Sequence, residues 1–143
     1  MTIQELNKLI IDNFTNEKGI VDISGMEFDC DVNMSSMKVK GNLSQSRHEV
    51  EGYLHQNSQE VKGDLSQDWH EVEGGLSQCG HEVKGDLHQS GHKVDGGLYQ
   101  SAHKVKGDLY QSNHEVKGDL SQNGHEVDGD LYQNGHEVEG GLY

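Results

Sequence analysis

The sequence contains no proline, only two cysteines, and aromatic residues at just 6% of its 143 positions. The lack of proline argues against a disordered linker. It suits a backbone in which every N–H group is needed as a hydrogen-bond donor. Cys30 and Cys79 are too few for a disulfide framework. No run is apolar enough to cross a bilayer, and "MTIQELNKLI" lacks a signal-peptide pattern. We therefore expect a cytoplasmic protein that avoids membranes.

Basic residues are also scarce, with 11 Lys and Arg against 25 Asp and Glu, for a net charge of −14. This excess of acid disfavours direct binding to nucleic acid and favours a basic partner. Hydrophobic residues make up only 31% of the chain, which argues against a wide globular core. Regular repetition makes a thin continuous core feasible, because stacked repeats can share it.

The chain does contain such a repeat, the eleven-residue pattern H-E-V-K-G-D-L-Y-Q-x-x, in ten copies over residues 37–143. We number its positions from the histidine. Position 3 is always valine (Val39 to Val138) and position 7 always leucine (Leu43 to Leu142), while position 9 is glutamine from Gln45 to Gln133. Position 5 is always glycine: Gly41, Gly52, Gly63, Gly74, Gly85, Gly96, Gly107, Gly118, Gly129 and Gly140.

Apolar and polar residues alternate along each copy, which is typical of strands with one buried face. A glycine in every copy excludes a helix, because each would cost about 1 kcal/mol. The invariant glycine indicates either positive φ or close backbone approach, and the variable last two positions indicate a second turn. The pattern predicts an all-β fold, a parallel β-solenoid with the valines and leucines inside.

The charges at position 4 bear on the length of one coil, because they alternate in sign from Lys40 to Lys106 and are opposite in seven of the nine neighbouring pairs. If each copy is one coil, equivalent residues stack about 4.8 Å apart, and most neighbours at position 4 are oppositely charged. Antiparallel hairpins would instead bring like charges together, such as Asp64 and Glu73. We favour one coil per copy. A coil of 22 residues, made by two copies, is the alternative.

The two ends of the repeat region look different. Residues 1–19 predict a capping helix, with capping-box spacing at Thr2 and Glu5 and an apolar face that includes Leu6, Leu9, Ile10 and Phe14. Residues 20–36 predict a degenerate first coil, and residues 37–143 form the repeats of a single domain. The last repeat leaves an open strand edge, which favours a homodimer through residues 130–143.

Histidine occupies position 1 in eight copies, and we expect these side chains to form a ladder along one edge. Such a ladder is a candidate metal site, at His70, His81, His92, His103, His114, His125 and His136, together with His48. The structural interpretation, stacked rings without metal, fits better because zinc sites use mixed, closely spaced ligands from turns. We therefore expect no cofactor. Like-charge repulsion along the ladder should lower the histidine pKa values.

Tyrosines at position 8 are predicted to face outward as one aromatic stripe that contacts a protein partner, and they are Tyr99, Tyr110, Tyr132 and Tyr143. High β-propensity on a solvent-facing strand explains the same residues without a partner. No catalytic constellation stands out, because every copy repeats the same chemistry. We expect no enzyme.

The pattern resembles short-period β-solenoids in form, such as pentapeptide-repeat rods and insect antifreeze coils, although the consensus residues of those families are absent. Ice binding in the insect proteins uses threonine rows, and this repeat region has no threonine. Pentapeptide-repeat solenoids include acidic dimeric rods that imitate DNA. The expected function is a structural or protein-interaction scaffold. The alternatives are a nucleic-acid mimic that inhibits a basic nucleic-acid-binding protein, and a histidine-ladder metal binder.

Overall fold

The computed structural model describes residues 2–143, apart from the side chain of Ile3; Met1, part of the predicted capping segment, lies outside it. The chain begins with a helix over Ile3–Phe14. Its first turn carries the predicted capping box, in which the Thr2 side chain accepts from the Glu5 backbone and the Glu5 side chain accepts from Thr2. Two-residue strands follow, arranged in four parallel sheets.

The chain visits the four sheets in a fixed order, and we label them I to IV in that order. Sheet I contains Val21–Asp22, Leu43–Ser44, Leu65–Ser66, Leu87–His88, Leu109–Tyr110 and Leu131–Tyr132. Sheet II contains Glu27–Phe28, Glu49–Val50, Glu71–Val72, Lys93–Val94, Glu115–Val116 and Glu137–Val138. Sheet III contains Val32–Asn33, Leu54–His55, Leu76–Ser77, Leu98–Tyr99 and Leu120–Ser121. Sheet IV contains Lys38–Val39, Glu60–Val61, Glu82–Val83, Lys104–Val105 and Glu126–Val127.

The molecule is a parallel β-solenoid, as predicted. It has about five coils, and each coil takes 22 residues. Leu43 pairs with Leu65, and Val50 pairs with Val72. The expectation of one coil per copy is therefore wrong, and the 22-residue alternative is confirmed. One copy supplies only two strands joined by one corner, and four strands are needed to close around the core. The charge alternation at position 4 reflects the face on which each copy lies.

Two kinds of corner bend the chain. The position-5 glycines keep ordinary negative φ and are required by close approach, since a Cβ on Gly85 would lie 2.1 Å from Oδ1 of Asp64 and 2.9 Å from the Gly63 carbonyl carbon. The positive φ occurs instead at position 11. There the left-handed conformation is adopted by glycines such as Gly80, with φ 68°, and by non-glycine residues such as Asn113, with φ 58°.

The core is split into two apolar columns, each following one position-5 corner. Leucines of sheet I pack with valines of sheet IV, while leucines of sheet III pack with valines of sheet II. Leu54 through Leu120 are fully buried at position 7. The predicted placement of valine and leucine inside is confirmed. The glutamines and histidines are also inside, so the interior is part apolar and part polar.

The N-terminal helix covers the first coil through a face that overlaps the predicted one only in part. Ile10 and Ile11 pack against the column formed by sheets I and IV. Asn7 is buried, and its amide donates to the Ser35 carbonyl at 2.9 Å. Leu9 is 52% exposed and Phe14 is 42% exposed, so this part of the predicted apolar face does not pack on the coil. Residues 20–36 supply the first strands of sheets I, II and III.

The helix of the described chain is too short and too polar to cross a lipid bilayer.

Candidate functional site: histidine columns and charged faces

The histidines at position 1 lie inside the rod in two columns. One column contains His48, His70, His92, His114 and His136, and the other contains His81, His103 and His125. Neighbouring rings in a column are parallel, with centroids 4.9 to 5.1 Å apart. The rings stack as a ladder, but the expectation of a single ladder along one edge is wrong, because they form two columns. Alternate copies lie half a coil apart, and position 1 points inward with valine and leucine.

Each imidazole takes part in the hydrogen bonding between coils. The backbone N–H of His70 donates to Nδ1 of His92 at 3.1 Å, and the N–H of Gln59 donates in the same way to His81 at 3.2 Å. An Nδ1 that accepts a hydrogen bond carries no proton, so the neutral ring holds its proton on Nε2. The eight Nε2 atoms are buried and have no hydrogen-bond partner within residues 2–143.

Burial is the main reason that the pKa of every one of these histidines is lowered. It lowers the pKa of His81 to about 3 and that of His48 to about 4. In His114, burial lowers the pKa to about 3, with a further contribution from the neighbouring His136. The predicted direction is confirmed, but the predicted cause was like-charge repulsion. Repulsion is secondary, because the low-dielectric interior already disfavours the charged form.

The candidate metal ladder does not form a shared coordination site in the structure. Within the described residues, no group of three or more His, Cys, Asp or Glu side chains is placed to hold one metal ion. The parallel rings direct their Nε2 atoms side by side along the rod, and each Nδ1 already accepts a backbone N–H. Each ring therefore offers a single nitrogen, whereas zinc sites collect about four ligands around one point.

Glutamines at position 9 form a second polar system inside the rod. The amide of Gln78 donates to Oε1 of Gln56, one coil earlier, at 3.0 Å, and to the Gln67 carbonyl at 3.2 Å. The same two bonds recur at Gln89 and Gln100. This arrangement is the amide ladder that stacked parallel strands favour. It satisfies the buried amide donors and ties the two halves of each coil together.

Two further ladders were missed by the sequence reasoning. At position 6, Oδ1 of Asp64 accepts the N–H of Asp86 at 3.0 Å, and the bond recurs from coil to coil. At position 10, Oγ of Ser46 accepts the N–H of Asp68 at 3.0 Å. A signal was available, because position 10 is Ser, Asn, Asp or Cys in every copy that contains it. Those side chains are short acceptors suited to turns.

The tyrosines at position 8 are divided between two faces. Tyr110 and Tyr132 lie on sheet I with His88. The Tyr110 ring stacks on His88 at a centroid distance of 4.6 Å and on Tyr132 at 4.8 Å. We call these three residues the ring column. Tyr99 and Tyr143 lie on the opposite face, in the column of sheet III, with Ser121 between them. A single stripe of four tyrosines is therefore wrong, again because the coil holds two copies.

Each tyrosine of the ring column is also held by a carboxylate. The hydroxyl of Tyr110 donates to Oδ2 of Asp108 at 3.1 Å, and that of Tyr132 donates to Asp130 at 3.2 Å. These contacts raise the tyrosine pKa values. The hydroxyl end of each ring is thereby held by a neighbouring carboxylate, and Tyr132 remains 39% exposed.

Charges separate between sheets II and IV, which lie on opposite sides of the coil. We define the lysine face as the outward side chains of the first four strands of sheet IV, with Glu60 and Glu82 among six lysines: Lys38, Lys40, Lys62, Lys84, Lys104 and Lys106. This face carries six of the 11 basic residues of the chain. We define the acidic face as the outward side chains of the first four strands of sheet II, with Lys93 among Glu27, Asp29, Glu49, Glu51, Glu71, Glu73 and Asp95.

The end of the rod farthest from the helix exposes residues that are buried elsewhere. Leu131 is 46% exposed and Leu142 is 63% exposed, whereas Leu109 and Leu120, one coil earlier, are fully buried. We call this surface the open edge. Two surface depressions, of about 770 and 680 Å³, lie on sheets II and IV between repeated side chains. Both depressions are lined by rows of charged side chains that a partner could contact.

Comparison with protein-family models, with curated protein sequences and with solved structures finds no match for this chain. Any functional assignment must therefore be argued from the geometry of the rod itself.

Proposed function

We propose that the protein is a non-enzymatic repeat rod that acts as a structural or protein-interaction scaffold. The observation that carries this proposal is the ring column, in which His88, Tyr110 and Tyr132 stand stacked on one flat sheet. Tyrosine is enriched in protein interfaces because it combines a large apolar area with a polar end. Rings that are already stacked lose little side-chain entropy when a partner binds.

The rest of the rod supports the same function by keeping the ring column in place. Glutamine, aspartate and histidine ladders bond every coil to the next along the rod. The interior is filled with side chains, and the repeated outward groups form columns of similar chemistry. Such an exterior suits an extended partner better than a small substrate, which needs one concave site.

The direct test is affinity capture from the native host with the full chain and a tyrosine variant. Tyr110→Ser with Tyr132→Ser is a conservative design, because Ser44 and Ser66 occupy the same column in earlier coils. We expect the wild-type rod to retain a protein at both 50 and 300 mM NaCl, and the variant to lose about tenfold in affinity. Equal retention by both forms would remove the ring column as the binding surface.

A second candidate function, mimicry of nucleic acid, is favoured by one specific observation, the acidic face. Its carboxylates form two columns along the rod, so that most coils contribute two carboxylates to this face. The partner would then be a basic nucleic-acid-binding protein, bound electrostatically. Capture that is lost at 300 mM NaCl, competes with an added oligonucleotide and fails in Glu49→Lys with Glu71→Lys would favour this candidate over the scaffold.

A further inference from the structure

The lysine face carries charges that the rod itself leaves unpaired. Among the described residues, ion pairs on this face involve only position 2, with Lys38 to Glu60 at 2.8 Å and Lys104 to Glu126 at 3.9 Å. The position-4 column, formed by Lys40, Lys62, Lys84 and Lys106, has no ion pair within residues 2–143. These lysines are exposed and lie one coil apart, about 4.8 Å along the rod.

Stacked like charges on neighbouring strands are destabilising, and this column repeats the arrangement over four coils. The acidic face has the same arrangement with the opposite sign. Only Asp95 of that face forms an ion pair in the described part of the chain, with Lys117 at 2.8 Å. Both faces therefore carry a cost that an oppositely charged surface of matching spacing would relieve.

We propose that the lysine face of one rod docks on the acidic face of a second copy of the same chain, so that rods associate side by side. This rests on the proposed scaffold function and names one of its partners. The argument is charge complementarity together with spacing. A second copy has the same coil repeat, so its carboxylates recur at the interval at which the lysines recur, over the same four coils.

The contact propagates, because each copy carries both faces on opposite sides. Such a heterologous contact leaves one lysine face and one acidic face free at the ends of every assembly, so further copies can add. The paired faces span roughly 20 Å along the rod and about 10 Å across, or about 200 Å² per partner. Stable interfaces bury about 800 Å² per partner, so each contact is weak and depends on salt.

The experiment is sedimentation velocity of the full chain between about 0.1 and 1 mM, at pH 7.5 in 20 and 300 mM NaCl. We expect a mass-average size that grows with concentration at low salt, and an association constant about tenfold lower at high salt. Association through the open edge is apolar and backbone-mediated, so it would persist at 300 mM NaCl and is separated from the lateral contact by this comparison.

The decisive variant exchanges charges between the two faces at constant net charge: Lys62→Glu, Lys84→Glu, Glu49→Lys and Glu71→Lys. We expect it to remain folded, since all four side chains are exposed, and to lose the salt-dependent association. The matched control exchanges charges on and beside the helix: Lys8→Glu with Asp12→Lys, and Glu17→Lys with Lys18→Glu. The control also keeps the net charge and should associate like the wild type.

Three results would overturn the proposal. The first is a wild-type chain that shows no salt-dependent association at 1 mM. The second is a face variant that associates as the wild type does. The third is binding of an added 20-nucleotide DNA strand to the lysine face more tightly than a second rod binds, which would make a polyanion its occupant. None of these results bears on capture through the ring column, so the scaffold function is tested separately.

Discussion

The backbone N–H of His92 donates to Nδ1 of His114, one coil further along the rod, at 3.2 Å. Each interior histidine therefore serves as a neutral acceptor that joins two coils. Protonation would place a hydrogen on Nδ1, which removes the acceptor, and would put a charge in the interior. The same proton therefore breaks a hydrogen bond and carries a burial penalty.

The first prediction is that the rod unfolds in mild acid. An unfolded histidine titrates near pH 6.5, whereas in the rod the pKa is about 3 for His81 and about 4 for His48. Between these values the unfolded chain binds more protons, so stability is full above pH 6.5 and falls as the pH drops toward the folded pKa.

The size of this effect follows from the number of fully buried rings: His48, His70, His81, His92, His103 and His114. Each costs about 1.4 kcal/mol per pH unit below 6.5, so six cost about 8 kcal/mol at pH 5.5. Domains are stable by only about 5–15 kcal/mol. Thermal melts at fixed ionic strength should show a steep fall in Tm between pH 6.5 and 5. An unchanged Tm at pH 5 would contradict the burial of neutral rings.

The second prediction is that glutamine can replace interior histidine and remove the pH dependence. Gln59 already occupies a histidine position, and its amide donates to Oε1 of Gln45 and to the Met34 carbonyl. His81→Gln with His103→Gln should reduce the slope of unfolding free energy against pH by about 2.7 kcal/mol per unit below pH 6. Denaturant titrations at several pH values measure the slope. The outward His88→Ser is the control, and an equal change in slope there would refute the assignment.

The third prediction distinguishes the two kinds of glycine. Gly85→Ala places a Cβ 2.1 Å from Oδ1 of Asp64 and against the Gly63 backbone, so we expect a loss of about 3 kcal/mol or more. Gly80→Asn is the matched control, since Asn113 adopts the same left-handed conformation at the same position of the repeat. That change should cost about 1 kcal/mol or less. Chemical denaturation measures both, and equal losses would contradict the close-approach role of position 5.

The fourth prediction concerns the open edge. We expect the 143-residue chain to form an end-to-end dimer, because Leu131 and Leu142 are exposed and the Leu131–Tyr132 strand pairs on one side only within residues 2–143. Leu131→Lys with Leu142→Lys should give a monomer, as measured by light scattering at micromolar concentration in 300 mM NaCl. Glu137→Lys with Glu139→Lys, on the outer surface of the same coil, is the control and should remain a dimer. A wild-type monomer whose last coil is ordered would rule out this contact.

The parallel solenoid with valine and leucine inside could be predicted because inward and outward side chains alternate along a strand, which the repeat displays directly. The coil length could not be predicted from the same pattern. A repeat period specifies which residues are equivalent, and the number of corners needed to close the core depends on packing between strands such as Val39 and Leu43. The charge alternation at position 4 had two explanations, and the one that used contact between neighbours was wrong.

The interior histidines were misjudged for a related reason. Polar side chains such as His70 are expected outside unless a hydrogen-bond partner is identified, and here the partner is the backbone N–H of His48, in the preceding coil. That partner becomes visible only once the 22-residue register is known. The separation of tyrosines and charges onto different faces depends on the same register.

The eleven-residue sequence repeat is half of the 22-residue coil that stacks along the rod. Gain or loss of a single eleven-residue copy would rotate every later residue by half a coil, so that Lys84 would move to the side now occupied by glutamates and the ring column would be broken. Gain or loss of two copies would only lengthen or shorten the rod. Among descendants of this gene, we therefore expect copies to be gained or lost in even numbers. A change by an odd number of copies would produce a rod with a different distribution of side chains among its faces.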